Sequence, residues 1–320
     1  MEVLPVQAAG QPGPLIAIGG AEDKVRERTI LRYFVEAAGG SDASVVVLAT
    51  ASEVPETGER YADLFYSLNA DSVEVLRVAN REDALAAGAE AQALLEYATG
   101  LFITGGSQLR LSSALGGTEV AAAIRARHAA GMVVAGTSAG AAFLSQHMIA
   151  IGDSGATPRR RLVHLAPGLG LAAEVIIDQH FRRRDRLGRL LTALSYHPGY
   201  LGVGIDEDTA AVIDAGRNLR VIGARSVTIL DAHGMRYTDS HAVHRGQPLA
   251  MLGVSLDVLT AGCRYDLERR RAHPPPQGSV RLDAATPLDA AAADAAAAEG
   301  TAQDLAEPSV AAERAADRGD

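Results

Sequence analysis

Short apolar runs that end in glycine or a small polar residue recur through the first half of the chain, separated by amphipathic stretches. Leu15 to Ile18 stops at Gly19-Gly20, and residues 25–38 follow with a helical spacing of apolar positions. The unit then repeats. Strands are predicted over 44–50, 73–78 and 100–104, with helices over 56–68, 83–98 and 118–130 between and after them. The strand over 100–104 closes on Gly105-Gly106-Ser107-Gln108, and Met132-Val-Val-Ala-Gly-Thr-Ser-Ala-Gly140 carries the next one into a helix starting at Ala139. Strands alternating with helices of this length predict an α/β fold, a three-layer sandwich with a mainly parallel central sheet. In such sheets the working residues collect at the carboxyl ends of the strands. Gly19-Gly20, Gly105-Gly106 and Ser138 all fall there.

After Ser138 the pattern loosens. A strand is predicted over 173–178, an arginine-rich helix over 182–194, and short strands over 201–206, 210–213, 219–222 and 227–230, in the manner of hairpins. Arg159-Arg160-Arg161 sits in a polar loop, and an apolar segment near 249–254 is a candidate partner for the short strands. From His273 the character changes. Pro274-Pro275-Pro276 leads into residues 281–320, which hold sixteen alanines with nine acids against three bases. Such a stretch buries little, so residues 1–272 are expected to form one domain and 273–320 a largely disordered tail.

Composition narrows the function classes. The net charge of −9 resides mostly in that tail, so the remainder is close to balanced and carries neither a nucleic-acid nor a membrane-surface footprint. Tryptophan is absent and aromatics make up 4% of the chain, so the core is expected to rest on Ala, Val, Leu and Ile. The single cysteine, Cys263, excludes an internal disulfide and reads as a small hydrophobe. With no secretory pattern at the start and no apolar run long enough to span a bilayer, a cytoplasmic protein is the expectation.

The chemistry centres on Ser138. Glycines two places away on either side, Gly136 and Gly140, allow the sharp strand-to-helix turn that projects a serine hydroxyl, and the N–H of Ala139 then faces any oxyanion formed beside it. A tight turn with no chemistry satisfies the same pattern. A nucleophilic serine needs a base and a group to orient that base. Of nine histidines, His180 is the one delivered by a predicted strand end, Val175-Ile-Ile-Asp178. Three acids, Asp206, Glu207 and Asp208, follow another predicted strand. A solvated turn between strands is the competing reading for them. Histidines are scattered and H-E-x-x-H is absent, so no metal set is visible; Gly19-Gly20 lacks phosphate-loop spacing, and no cofactor is expected.

Taken together, Gly136-Thr-Ser-Ala-Gly140, Asp178-Gln-His-Phe181 and Gly204-Ile-Asp-Glu-Asp-Thr-Ala210 resemble the cyanophycinase family. These are serine peptidases related to the aspartyl dipeptidases, with a fold like the class I glutamine amidotransferases. The resemblance runs from about Gly13 to Asp266 and keeps the family order of Ser, His, Glu. It implies Ser138 as nucleophile, His180 as general base and then acid, and Glu207 as orienter. Gly105, Gly106 and Ala139 are candidates for the oxyanion hole. Asp206 is the acid to test as a substitute for Glu207.

The same resemblance implies cyanophycin as substrate: a poly-aspartate backbone whose side-chain carboxyls carry arginine, cut to β-Asp-Arg dipeptides by a homodimeric exopeptidase. Arginines occupy the family's positions at Arg184, Arg186 and Arg189, where bidentate guanidinium clamps on carboxylates suit such a polymer. On a helix Arg182, Arg186 and Arg189 share a face, and a solvated basic face is the alternative. Gln108, Asp178 and Gln179 are further candidates for polar substrate contacts. Two other functions stay open: a dipeptidase for different acidic peptides, and a non-catalytic binding module. Release of β-Asp-Arg from the polymer separates all three.

Overall fold

The computed structural model describes residues 10–276. In chain order its elements are β1 (Leu15–Ile18), α1 (Thr29–Ala37), β2 (Ser44–Leu48), α2 (Thr57–Ser67), β3 (Ser72–Leu76), α3 (Arg81–Ala86), α4 (Gly88–Tyr97), β4 (Gly100–Ile103), α5 (Gln108–Leu115), α6 (Glu119–Ala129), β5 (Val133–Thr137) and α7 (Ala139–Phe143). The second half holds β6 (His147–Gly152), β7 (Val163–Pro167), β8 (Val175–Asp178), α8 (Leu187–Tyr196), β9 (Leu201–Ile205), β10 (Thr209–Ile213), β11 (Asn218–Gly223) and β12 (Ser226–Asp231). Five short strands close it: β13 (Tyr237–Thr238), β14 (Met251–Leu252), β15 (Ser255–Thr260), β16 (Arg264–Asp266) and β17 (Arg271–His273).

Nine strands form the large sheet in the order β17-β16-β11-β10-β1-β5-β4-β2-β3. The five from β1 to β3 run parallel, and β10 adds antiparallel to β1 to begin an antiparallel wing. Side chains alternate cleanly between its faces. Leu15 and Ala17, Val46 and Leu48, and Leu101 and Ile103 pack on the side of α3 to α6, whereas Ile16 and Ile18, Val45 and Val47, and Phe102 meet α1 and α2. Every strand of this parallel core except the edge strand is therefore buried on both faces, which is why its sequence reads as an unbroken apolar run. Aliphatic residues dominate, but α1 and α2 also contribute Phe34, Tyr61 and Phe65 to a cluster around Phe102 with centroids 4.7–5.6 Å apart.

A second sheet, β15-β12-β9-β8, packs its Val175, Ile177, Val203 and Ile205 into the same core as α3 to α6. Its outer face, with Ile176 and Leu230, is covered by Leu190 and Leu194 of α8. β8 and β9 are parallel neighbours, so Asp178 and Ile205 lie at the same, carboxyl, end of this sheet.

Several expectations needed correction. The helix over 83–98 is two helices broken around Ala87, and α5 and the β6-β7 hairpin were not expected. The segment near 249–254 pairs with Tyr237 and Thr238 rather than with the longer strands. Most important for the site, the arginine-rich helix begins at Leu187, not 182, because residues 181–185 form a turn in which Asp185 takes φ 47°. Cys263 is half-buried and packs against the core. His273, assigned to the tail, ends β17, and the rest of the expected disordered tail from 277 to 320 lies outside the described residues.

Candidate active site

The two glycines of the Gly136-Thr-Ser-Ala-Gly140 turn are sterically required. A side chain at Gly136 would collide with the backbone of Gly140, and one at Gly140 with the carbonyl of Ile103 on β4. That approach forces Ser138 to φ 51° and ψ −115°, a conformation costly for a residue with a Cβ and stabilised by its N–H donating to Ile18 O at 3.0 Å. The hydroxyl sits at the tip.

β8 brings the base. His180, also at positive φ (46°), donates its backbone N–H to Gly19 O at 2.8 Å, so the chain after β8 is pinned to the chain after β1. Gly20, at φ 90°, lies under the His180 ring, and a Cβ there would occupy the ring's own space. A Gly20→Ala variant is accordingly expected to displace the imidazole and lower kcat/KM about 10²-fold, the scale of a ~1 Å misplacement. Retention of full activity would show that the contact does not position His180.

Ser138 Oγ lies 3.0 Å from His180 Nε2, and His180 Nδ1 lies 2.7 Å from Glu207 Oε1. The three side chains are nearly buried. Burial pushes the Glu207 carboxyl up, but its hydrogen bond to His180 and the charges of His180, Arg183 and Arg225 outweigh this and hold it below the usual carboxylate range. Arg183 Nη1 is 3.3 Å from Glu207 Oε2.

The flanking acids are occupied elsewhere. Asp206 accepts from Arg182 N (3.0 Å) and Ser226 Oγ (2.6 Å), which leaves it tied to β12 instead of to the imidazole. Asp208 accepts from Asp23 N at 2.9 Å, and burial raises its carboxyl. Gly105 faces Ser138: a Cβ there would stand 3.1 Å from Ser138 Cβ and 3.7 Å from Oγ. Gly106, at φ 137°, presses against the carbonyl of Ala51. Gly105, after β4, and Ala139, the first residue of α7, thus border the serine, while Gly106 packs toward Ala51.

The remaining polar residues converge in a way their spacing did not foretell. Arg189 holds Asp178 with two bonds, Nε to Oδ2 at 2.7 Å and Nη2 to Oδ1 at 2.6 Å, while Arg186 Nη1 donates to Gln179 O and Oε1, each at 2.7 Å. Gln179 Nε2 reaches Gln108 Oε1 (3.2 Å), and Gln108 Nε2 donates to Ile149 O (2.5 Å). All five side chains are within 2% of complete burial. The carboxylate gripped by Arg186 and Arg189 is therefore an internal one. Arg182 does not share their face, because it lies in the turn before α8, as does the half-buried Arg184.

Burial raises the Asp178 carboxyl, and Arg189, Arg186 and the Gln179 N–H more than reverse it, so the folded value is depressed. Its stabilising contribution is present above the ordinary value of 3.8 and is lost as pH falls through the lower folded one. An Asp178→Asn variant should unfold about 3–5 kcal/mol more easily at neutral pH, since it removes the buried carboxylate that both guanidinium groups pair with. Denaturant titration at pH 7 and in acid checks this, the gap narrowing in acid; equal stability at pH 7 would contradict it.

Glu22 was missed by sequence reading. It is buried beneath the serine turn, accepting from Thr137 Oγ1 (2.6 Å) and Tyr61 OH (2.5 Å) and pairing with Lys24 (3.1 Å). The available signal was an acid two residues after a strand-ending glycine pair.

The profile of peptidase family S51 matches residues 15–221, which include the serine, the histidine and the glutamate. The chain belongs to peptidase family S51. Among relatives of this S51 peptidase, cyanophycinase of Trichormus variabilis is 45% identical over 262 residues, covering 81% of the chain and 87% of the relative. Cyanophycinase of Geminocystis herdmanii is 45% identical over 271 residues, covering 83% and 97%. In fold, the S51 peptidase resembles the crystal structure of a peptidase from an acI-B1 Actinobacterium, with a TM-score of 0.58 at 21% identity, covering 81% of this chain and 98% of that one.

Proposed function

We propose that this S51 peptidase is a cyanophycinase, hydrolysing cyanophycin to β-Asp-Arg dipeptides through an acyl-enzyme on Ser138. The observation that carries this reading is an unbroken chain of contacts, Ser138 to His180 at 3.0 Å and His180 to Glu207 at 2.7 Å, within a chain 45% identical to cyanophycinases over most of its length.

His180 Nε2 takes the Ser138 hydroxyl proton as Oγ attacks the scissile carbonyl carbon, and Glu207 stabilises the imidazolium through Nδ1–H. The carbonyl oxygen becomes an oxyanion held by the N–H of Ala139 with that of Gly105 or Gly106; each such donor contributes about 3 kcal/mol to lowering the barrier. Collapse of the tetrahedral intermediate breaks the C–N bond as His180 passes its proton to the leaving amine. Water, deprotonated by His180, then attacks the ester, and the serine leaves with its proton restored.

For the substrate, Arg184 is the proposed carboxylate contact beside His180. Arg186 and Arg189 act behind it, holding Asp178, Gln179 and Gln108 in the shape that receives the dipeptide unit. The proposal extends to a homodimer working in the cytoplasm, supported by the resemblance to cyanophycinases. No helix among the described residues is long and apolar enough to cross a membrane.

The test is incubation of the purified protein with cyanophycin and chromatography of the products. β-Asp-Arg is the expected product; an intact polymer, with turnover of other acidic dipeptides, would point instead to a dipeptidase.

A further inference from the structure

Beyond the triad, the structure clamps the Arg159-Arg160-Arg161 loop, which its sequence presents as a plain polar connection. Arg160 N donates to Gln247 O (3.0 Å), Gly246 N to Arg160 O (2.9 Å) and Leu249 N to Pro158 O (2.9 Å), so the loop lies antiparallel along residues 243–249. Two bonds tie it to α8: Arg159 N to Thr192 Oγ1 at 3.1 Å and Arg161 N to Tyr196 OH at 2.9 Å. Between loop and helix lies a concavity of about 420 Å³, lined by Arg160, Arg161, His164, Tyr196, Ser240 and Arg245.

Its charge is one-sided. Among the described residues no acidic side chain lies within ion-pair distance of Arg160, Arg161 or Arg245. Arg160 is oriented by the carbonyl of Val243, which leaves its guanidinium fixed while retaining further donors. Three guanidinium groups brought together by the braced loop and the segment it pairs with repel one another, and an anion with carboxylate geometry relieves that repulsion while taking bidentate bonds. The exposed ring of Tyr196 adds a surface on which a guanidinium can stack. A ligand offering both a carboxylate and a guanidinium suits this lining.

Location points the same way. Tyr196 is seven residues along α8 from Arg189, which grips Asp178 two residues before His180. At 1.5 Å per residue the helix separates the concavity from that arginine by about 10 Å. We propose that the concavity is an exosite for cyanophycin, holding the α-carboxylates of arginine units a few repeats away from the bond being cut. It rests on the cyanophycinase reading of the active site.

The test compares the unmodified protein with the double variant Arg161→Gln, Arg245→Gln, both surface positions outside the catalytic machinery. Initial rates are measured on synthetic β-Asp-Arg oligomers of two and of sixteen repeats. The expected result is a KM for the sixteen-repeat oligomer raised about 10-fold in the variant, from loss of two charge contacts, with kcat and the two-repeat kinetics unchanged. An unchanged KM for the long oligomer, or an equal rise for both lengths, overturns the exosite alone. If the unmodified protein cleaves neither oligomer, the cyanophycinase reading falls and the exosite with it.

Discussion

Replacing Ser138 by alanine is expected to lower kcat for β-Asp-Arg release by about 10⁴- to 10⁶-fold, the range seen when a serine nucleophile is removed. The hydroxyl lost is the one that lies 3.0 Å from His180 Nε2. The fold should persist. Alanine keeps the Cβ that Gly136 and Gly140 already accommodate, and the Ile18 carbonyl still receives the backbone N–H of residue 138. Loss of one neutral hydrogen bond costs only about 1 kcal/mol. Product release and thermal melting on the same preparation check both halves. Activity within 100-fold of the unmodified protein would remove Ser138 from the mechanism.

The second large effect is at Glu207. A Glu207→Gln variant should lose about 10³- to 10⁴-fold in kcat, because an amide can donate to Nδ1 and so favour the imidazole tautomer whose Nε2 carries the proton. That tautomer cannot accept from Ser138. The pH behaviour separates this from a packing defect. Since Glu207 is depressed below the carboxylate range, it is an anion across neutral pH, and its contribution to the site is lost only as pH falls through that depressed value. The variant should therefore be impaired by a constant factor across the neutral range. Glu207→Asp, which keeps the charge but shortens the reach from a 2.7 Å contact, should recover part of the loss. A Gln variant of near-normal activity would mean that another acid orients His180, and Asp206 is already committed to Arg182 and Ser226.

Much of this centre was legible before any coordinates. Ser138 could be singled out because the strand-to-helix turn needs small residues at fixed offsets, a local constraint written directly in Gly136 and Gly140. Gly19-Gly20, expected to border the site, does so for two concrete reasons: the carbonyl of Gly19 holds His180, and Gly20 makes room for its ring. The arginines were harder. Arg186 and Arg189 look, in sequence, like cations available to a ligand, yet they are buried on Asp178 because α8 starts five residues later than expected and turns them inward. Glu22 and the Arg160–Arg245 concavity were invisible for a similar reason, since Tyr61 and Thr137 lie 39 and 115 positions from Glu22, and Arg245 lies about 85 from the loop.

By itself, then, the chain's sequence determined the parallel α/β core and the three residue types at its strand ends, because period-2 burial and tight glycine turns are local properties. Tertiary structure decided which acid meets His180, which arginines are spent internally, and which remain at the surface around a common hollow. Those choices depend on pairings between β8, β9 and the loops of the second sheet. Long-range register of that kind is set by how separate apolar faces pack against one another, and the order of residues along any one element does not specify it.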